Sequence, residues 1–227
     1  MVSEFLNFYE SDASAFTELI AVSDLNSAVP SCPGWRLRDL AMHLGHVHRW
    51  ARECIETDGP AERPEPPVSD SLLVEWFSEG ASDLGALLRT SDPESAVWTF
   101  GPHPRVMSFW LRRQAQETSM HLWDARNALE QPVQIDESLA ADGIAEVFEV
   151  FIPRQLKRAQ MSALSEGVRL SLPDGRTFDL GENIATEVSG SASNLLLALW
   201  HRIPIEHLTV DGDAQVAREA FSQALTS

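Results

Sequence analysis

Glu117 and His121 stand four residues apart within residues 107–129, so on a helix they sit one above the other on one face. That face also carries Trp110, Leu111, Ala125, Ala128 and Leu129, which makes it the buried side. A lone carboxylate in a bundle core costs several kcal/mol unless it is paired or bound to a metal. A second stretch, Leu37–Glu56, places His43 at the edge of a wide apolar arc made by Leu37, Leu40, Ala41, Leu44, Val47, Ala51, Cys54 and Ile55. Helical bundles build metal sites from such inward His and Glu side chains on facing helices. Spacing alone leaves a second reading open: each histidine is a hydrogen-bonded core residue, and Glu-x-x-x-His is a chance pattern.

His48 falls near the middle of the same arc, beside Leu37, Leu44 and Ile55, whereas His46 points the other way, towards solvent. His43 and His48 are about 140° apart on the wheel, too far to share one ion easily. His48 is therefore expected near the metal but not on it, hydrogen-bonding a ligand carboxylate or bound water. A structural core histidine is the alternative. Cys32 and Cys54 read as small packing residues.

The elements that must position these groups follow from periodicity. Residues 2–24 carry apolar positions at helical rhythm, then Pro30, Pro33 and Gly34 break the chain before Trp35. Helices are predicted over Leu37–Glu56, 70–89, 107–129 and 137–160, the last interrupted by Pro153. A proline-rich loop is expected over 58–67 and another around Gly101, Pro102 and Pro104. After Ser165 the period changes to alternation: Val168, Leu170 and Leu172, a Pro173-Asp174-Gly175 turn, then Thr177 to Leu180, a hairpin. Short strands at 185–188 and 207–210 and helices at 195–200 and 214–225 complete the reading. The fold class is α+β: an antiparallel helical bundle over 1–162 and a small α+β domain over 163–227.

Composition narrows the partners. The 227 residues carry 17 basic and 34 acidic side chains, a net charge of −17. Such a surface repels phosphate backbones and anionic membranes, so neither nucleic acid nor a membrane is expected as partner. No apolar run approaches the roughly 20 residues of a membrane span. Two cysteines and a first stretch unlike a signal peptide point to a cytoplasmic protein.

The run over residues 29–50, VPSCPGWRLRDLAMHLGHVHRW, strongly resembles the mycothiol-dependent maleylpyruvate isomerase family. The block over 112–125, RRQAQETSMHLWDA, is similar to that family's second signature, and residues 190–204 with Val210-Asp211-Gly212-Asp213 resemble its C-terminal domain. The resemblance implies a DinB-like four-helix bundle with one divalent metal, usually zinc, on His43, Glu117 and His121. It also implies mycothiol as a low-molecular-weight thiol cofactor and a small anionic substrate. Thiolate addition to a cis double bond would leave a single bond free to rotate, and expulsion of the thiolate would give the trans product. A thiol S-transferase is the related outcome, and a non-catalytic metal-binding bundle serving as sensor or scaffold is the alternative. The family further implies a cationic donor near the metal from the C-terminal domain, for which Arg202 is the best match; a helix-end surface arginine is its plain alternative. Arg113, one turn before Glu117, is a weaker candidate for holding the cofactor. His201 stands where a small residue is expected.

Overall fold

The computed structural model describes residues 2–62, 69–162 and 164–226; most of the proline-rich stretch read as a loop, residues 63–68, lies outside them. The chain divides into two compact units, 1–133 and 134–227.

The first unit contains helices α1 (Val2–Val22), α2 (Leu37–Glu56), α3 (Asp70–Thr90) and α4 (Met107–Ala128). Helix α1 packs on α3 and α4, and α2 packs on the same two, which is the pairing of a four-helix bundle. Phe16, Ile20, Leu37, Leu40, Leu44, Leu73, Phe77, Leu122 and Ala125 share its core. Helix α2 starts where Asp39 accepts the Arg36 backbone N–H at 2.8 Å, satisfying a donor the helix cannot. The connection before it is a tight loop closed by backbone bonds from Val29 N–H to the Trp35 carbonyl and from Trp35 N–H to the Cys32 carbonyl, both 2.9 Å. Gly34 takes φ +84 there, a conformation an L side chain rarely adopts.

The second unit begins with α5 (Glu137–Glu146), continued without a break by a π-helical turn (Val147–Phe151) and by α6 (Ile152–Lys157). Pro153 comes just after the π-helical turn, so the helix expected to be interrupted there runs on through it, the i→i+5 bonding of the turn accommodating the change. Strands β1 (Gly167–Ser171), β2 (Thr177–Leu180), β3 (Ile184–Ser189) and β4 (Thr209–Asp211) form one sheet in the order β2-β1-β3-β4. The predicted hairpin is β1–β2, and β1 pairs β3 in parallel with Leu170 opposite Val188. Helices α7 (Ala192–Leu199) and α8 (Ala214–Phe221) complete the unit.

The division falls at 133/134 rather than at the 162/163 read from the sequence. Glu137 in α5 explains the shift. Its carboxylate accepts the Ala192 and Ser193 N–H groups at the start of α7, at 2.8 and 3.4 Å. Ser193 in turn accepts the Ile135 N–H at 3.0 Å, so the start of α5 is tied to α7. No helix among the described residues is long and apolar enough to cross a membrane.

Candidate metal centre

Packing of α2 against α4 brings His43, Glu117 and His121 together, with one donor atom from each within 4.8 Å of the others. Glu117 Oε1 lies 3.4 Å from His43 Nε2 and 3.3 Å from His121 Nε2. Donor atoms at about 2.0–2.1 Å from a tetrahedral zinc stand about 3.3–3.4 Å from one another, so these separations match ligand edges. Two imidazole nitrogens and a carboxylate oxygen are the donor chemistry of a catalytic zinc site, and three protein donors leave a position for an outside ligand. The residues present fit a divalent metal.

The other ends of these ligands are held. Arg113, only 3% exposed, donates from Nη2 to Glu117 Oε2 at 2.9 Å, leaving Oε1 to face the histidines. His121 Nδ1 is 2.9 Å from Asp124 Oδ2, so an Nδ1–H donated to that carboxylate turns Nε2 towards Glu117. Trp35 packs its ring 5.0 Å from the His43 ring. Burial opposes charge on Glu117, but hydrogen bonds from His121 and His43 and the nearby Arg113 hold its carboxyl well below the usual range. Burial likewise opposes charge on His121, yet bonds to Asp124 and Glu117 raise it to about 9. Two carboxylates around one imidazole favour positive charge there, whether a proton or a metal ion supplies it.

His48 is fully buried, and its Nε2 lies 3.0 Å from Thr118 Oγ1 rather than against a carboxylate of the cluster. Its Nδ1 has no hydrogen-bond partner among the described residues. His46 does not turn to solvent: it is half-buried, edge-on to Trp76 at 5.3 Å, because α3 covers that side of α2. Arg113 lies behind Glu117. Arg202 belongs to the second unit, where it donates to the Trp200 carbonyl at 2.9 Å and lines a cavity of about 440 Å³ with Ile203, Pro204, Glu206 and Arg218. The neighbouring His201 takes φ +57, and its Nε2 donates to the Phe221 carbonyl at 2.6 Å, a use that a small residue could not serve.

Sequence reasoning missed Trp35, Ser31 and Asp124. Asp124 carried a signal, being three residues after His121 on the same buried face. Ser31 and Trp35 carried none, since their partners are remote in the chain.

Two known domains match this chain: the Mycothiol maleylpyruvate isomerase N-terminal domain over residues 10–126 and the MDMPI C-terminal domain over residues 138–219. The structure is similar to the crystal structure of the mycothiol-dependent maleylpyruvate isomerase, with TM-score 0.69 at 16% identity over 94% of this chain and 95% of that one. A crystal structure of a mutant of that enzyme matches with TM-score 0.70 at 15% identity over the same shares. At such identities the likeness establishes the fold. No curated protein sequence matches significantly. The domain matches cover most of the chain, in order and across both units, and the chain belongs to the mycothiol-dependent maleylpyruvate isomerase family.

Proposed function

We propose that this protein is a metal- and mycothiol-dependent enzyme, a cis-trans isomerase or a related thiol S-transferase acting on a small anionic substrate. The convergence of His43, Glu117 and His121 on one point carries the reading. A divalent metal bound there, zinc being the best fit to the donors, lowers the pKa of a thiol and makes thiolate available at neutral pH.

The chain's own residues do the rest. Glu117 and the two histidines supply three donors and leave room for one ligand from outside. Arg113 keeps Glu117 aimed. Neither cysteine is placed as the nucleophile: burial pushes the Cys54 thiol up, and the Cys32 sulfur lies 3.8 Å from the Asp124 carboxylate, behind His121 rather than at the donor cluster. The attacking sulfur therefore comes from a cofactor. Addition of that thiolate to a conjugated double bond, rotation, and expulsion would give isomerisation; retention of the new C–S bond, with a proton taken up at the adjacent carbon of the enolate, would give the thiol conjugate.

Metal analysis of the purified protein and of Glu117→Ala tests the site. About one metal per chain is expected in the first and much less in the second; equal contents overturn the assignment. Calorimetric titration of the metal-loaded protein with mycothiol then tests the cofactor. Metal uptake without thiol binding would leave a metal-binding scaffold in place of the enzyme.

A further inference from the structure

The loop between α1 and α2 does more than reverse the chain. We propose that Asp124, held in place by Ser31 of this loop, is a positioning residue that fixes the ring orientation and tautomer of His121 for metal binding. The inference rests on the metal reading above and extends it to residues outside the ligand set.

Asp124 is wholly buried, and both of its oxygens are in use. Oδ2 faces His121 Nδ1 at 2.9 Å, and Oδ1 accepts the Ser31 hydroxyl at 2.6 Å across 93 residues of sequence. The Cys32 sulfur adds a weaker contact to Oδ2 at 3.8 Å. A buried carboxylate is costly unless its lone pairs are satisfied, so these donors determine which way it faces. A neutral imidazole can carry its proton on either nitrogen. Donation to Asp124 keeps a proton on Nδ1, so a metal that displaces the proton between Nε2 and Glu117 Oε1, 3.3 Å apart, would find the lone pair on Nε2.

The loop is stiff enough to act as the support. Its ends are closed by the Val29 and Trp35 backbone pair, and Leu37 N–H bonds the Ser27 carbonyl at 2.8 Å. It reaches a second ligand as well, because the Trp35 ring packs beside His43, tilted 54° to it. One short segment thus touches two of the three donors, one through Asp124 and one directly. Carboxylates behind ligand histidines are worth about 10- to 100-fold in metal affinity.

The test measures zinc affinity by chelator competition for wild type, D124A, D124N, S31A and E117A, with far-UV circular dichroism to confirm folding. D124A should bind about 10- to 100-fold more weakly. D124N should lose less, since its carbonyl oxygen can still accept the Nδ1–H, and S31A should fall between D124N and wild type. A second readout is independent of global stability. In the cobalt-loaded protein, the exchangeable ring N–H proton of His121 should be protected in wild type and exchange rapidly in D124A. If D124A fails to fold, D124N decides: a weakened affinity supports the positioning role. Wild-type affinity together with a protected proton in the folded Asp124 variants overturns it. Loss of metal in E117A with full retention in those variants removes only this inference and leaves the metal site standing. No metal uptake by wild type removes both.

Discussion

At the residue scale, His43 and His48 share one helix and have opposite surroundings. His43 faces Glu117 and Trp35, while His48 is enclosed by Thr118 and the rings of Tyr9 and Phe77, at 5.2 and 5.5 Å. Burial pushes the His48 pKa down from 6.5 to about 3, so the folded protein keeps this ring neutral. The unfolded chain takes up a proton below about 6.5 that the folded chain refuses until about 3. The associated stability is therefore complete above pH 6.5 and is lost as the pH falls towards 3. At about 1.4 kcal/mol per unit, the loss by pH 4 is on the order of 3 kcal/mol. His48→Gln keeps a partner for Thr118 and cannot titrate. Denaturant unfolding at pH 7 and pH 4 should show a smaller acid loss in this variant than in wild type. Identical losses would mean that the histidine is not held neutral.

At the element scale, the α2–α3 contact depends on two glycines used differently. A Cβ on Gly45 would run into the Trp76 ring, and one on Gly80 would meet the Arg49 guanidinium. The ring is part of the packing, edge-on to His46 and covered by Arg49 at 4.1 Å. Moving it would disturb both contacts. Gly45→Ala should therefore cost about 1–3 kcal/mol, the usual cost of overpacking. Gly80→Ala displaces only the end of a flexible side chain, and the gain in helix propensity of about 1 kcal/mol offsets much of that loss. Urea midpoints of the two variants should separate clearly; coincident midpoints would show that Trp76 gives way as easily as Arg49. Helices α2 and α4 must keep their relative rotation for the metal donors to meet, so the Gly45 variant should also weaken metal binding.

At the scale of the whole molecule, the donors and their supports all belong to residues 1–133, while Arg202 belongs to residues 134–227. Arg202→Ala should leave metal content and fold unchanged. If Arg202 serves the anionic thiol or substrate, the variant should lose about 2–4 kcal/mol in thiol affinity or turnover, roughly 30- to 1,000-fold. Calorimetry with mycothiol on both proteins checks this. Equal binding and equal turnover would make Arg202 a helix-end residue with a local role beside Trp200. The net charge of −17 adds a general cost: it favours solubility and opposes close approach of any anion, so an anionic substrate needs local cations.

What the sequence determined by itself was what depends on neighbours close along the chain. The bounds of α2 and the start of α4 followed from helical periodicity, and the β1–β2 hairpin followed from alternation around Asp174-Gly175. Glu117 and His121 were visible as one face because a helix repeats every 3.6 residues whatever packs on it. Tertiary structure alone decided how those faces are rotated against each other. It brought His43 to Glu117, placed Ser31 on Asp124, turned Trp35 onto His43 and covered His46 with Trp76. It also moved the unit boundary, since the bonds from Glu137 to the start of α7 span 55 and 56 residues and leave no local pattern. The physical reason is common to all of these. Periodicity records which side of an element is apolar, but a hydrogen bond between remote side chains depends on angle and distance, which only the packed core supplies.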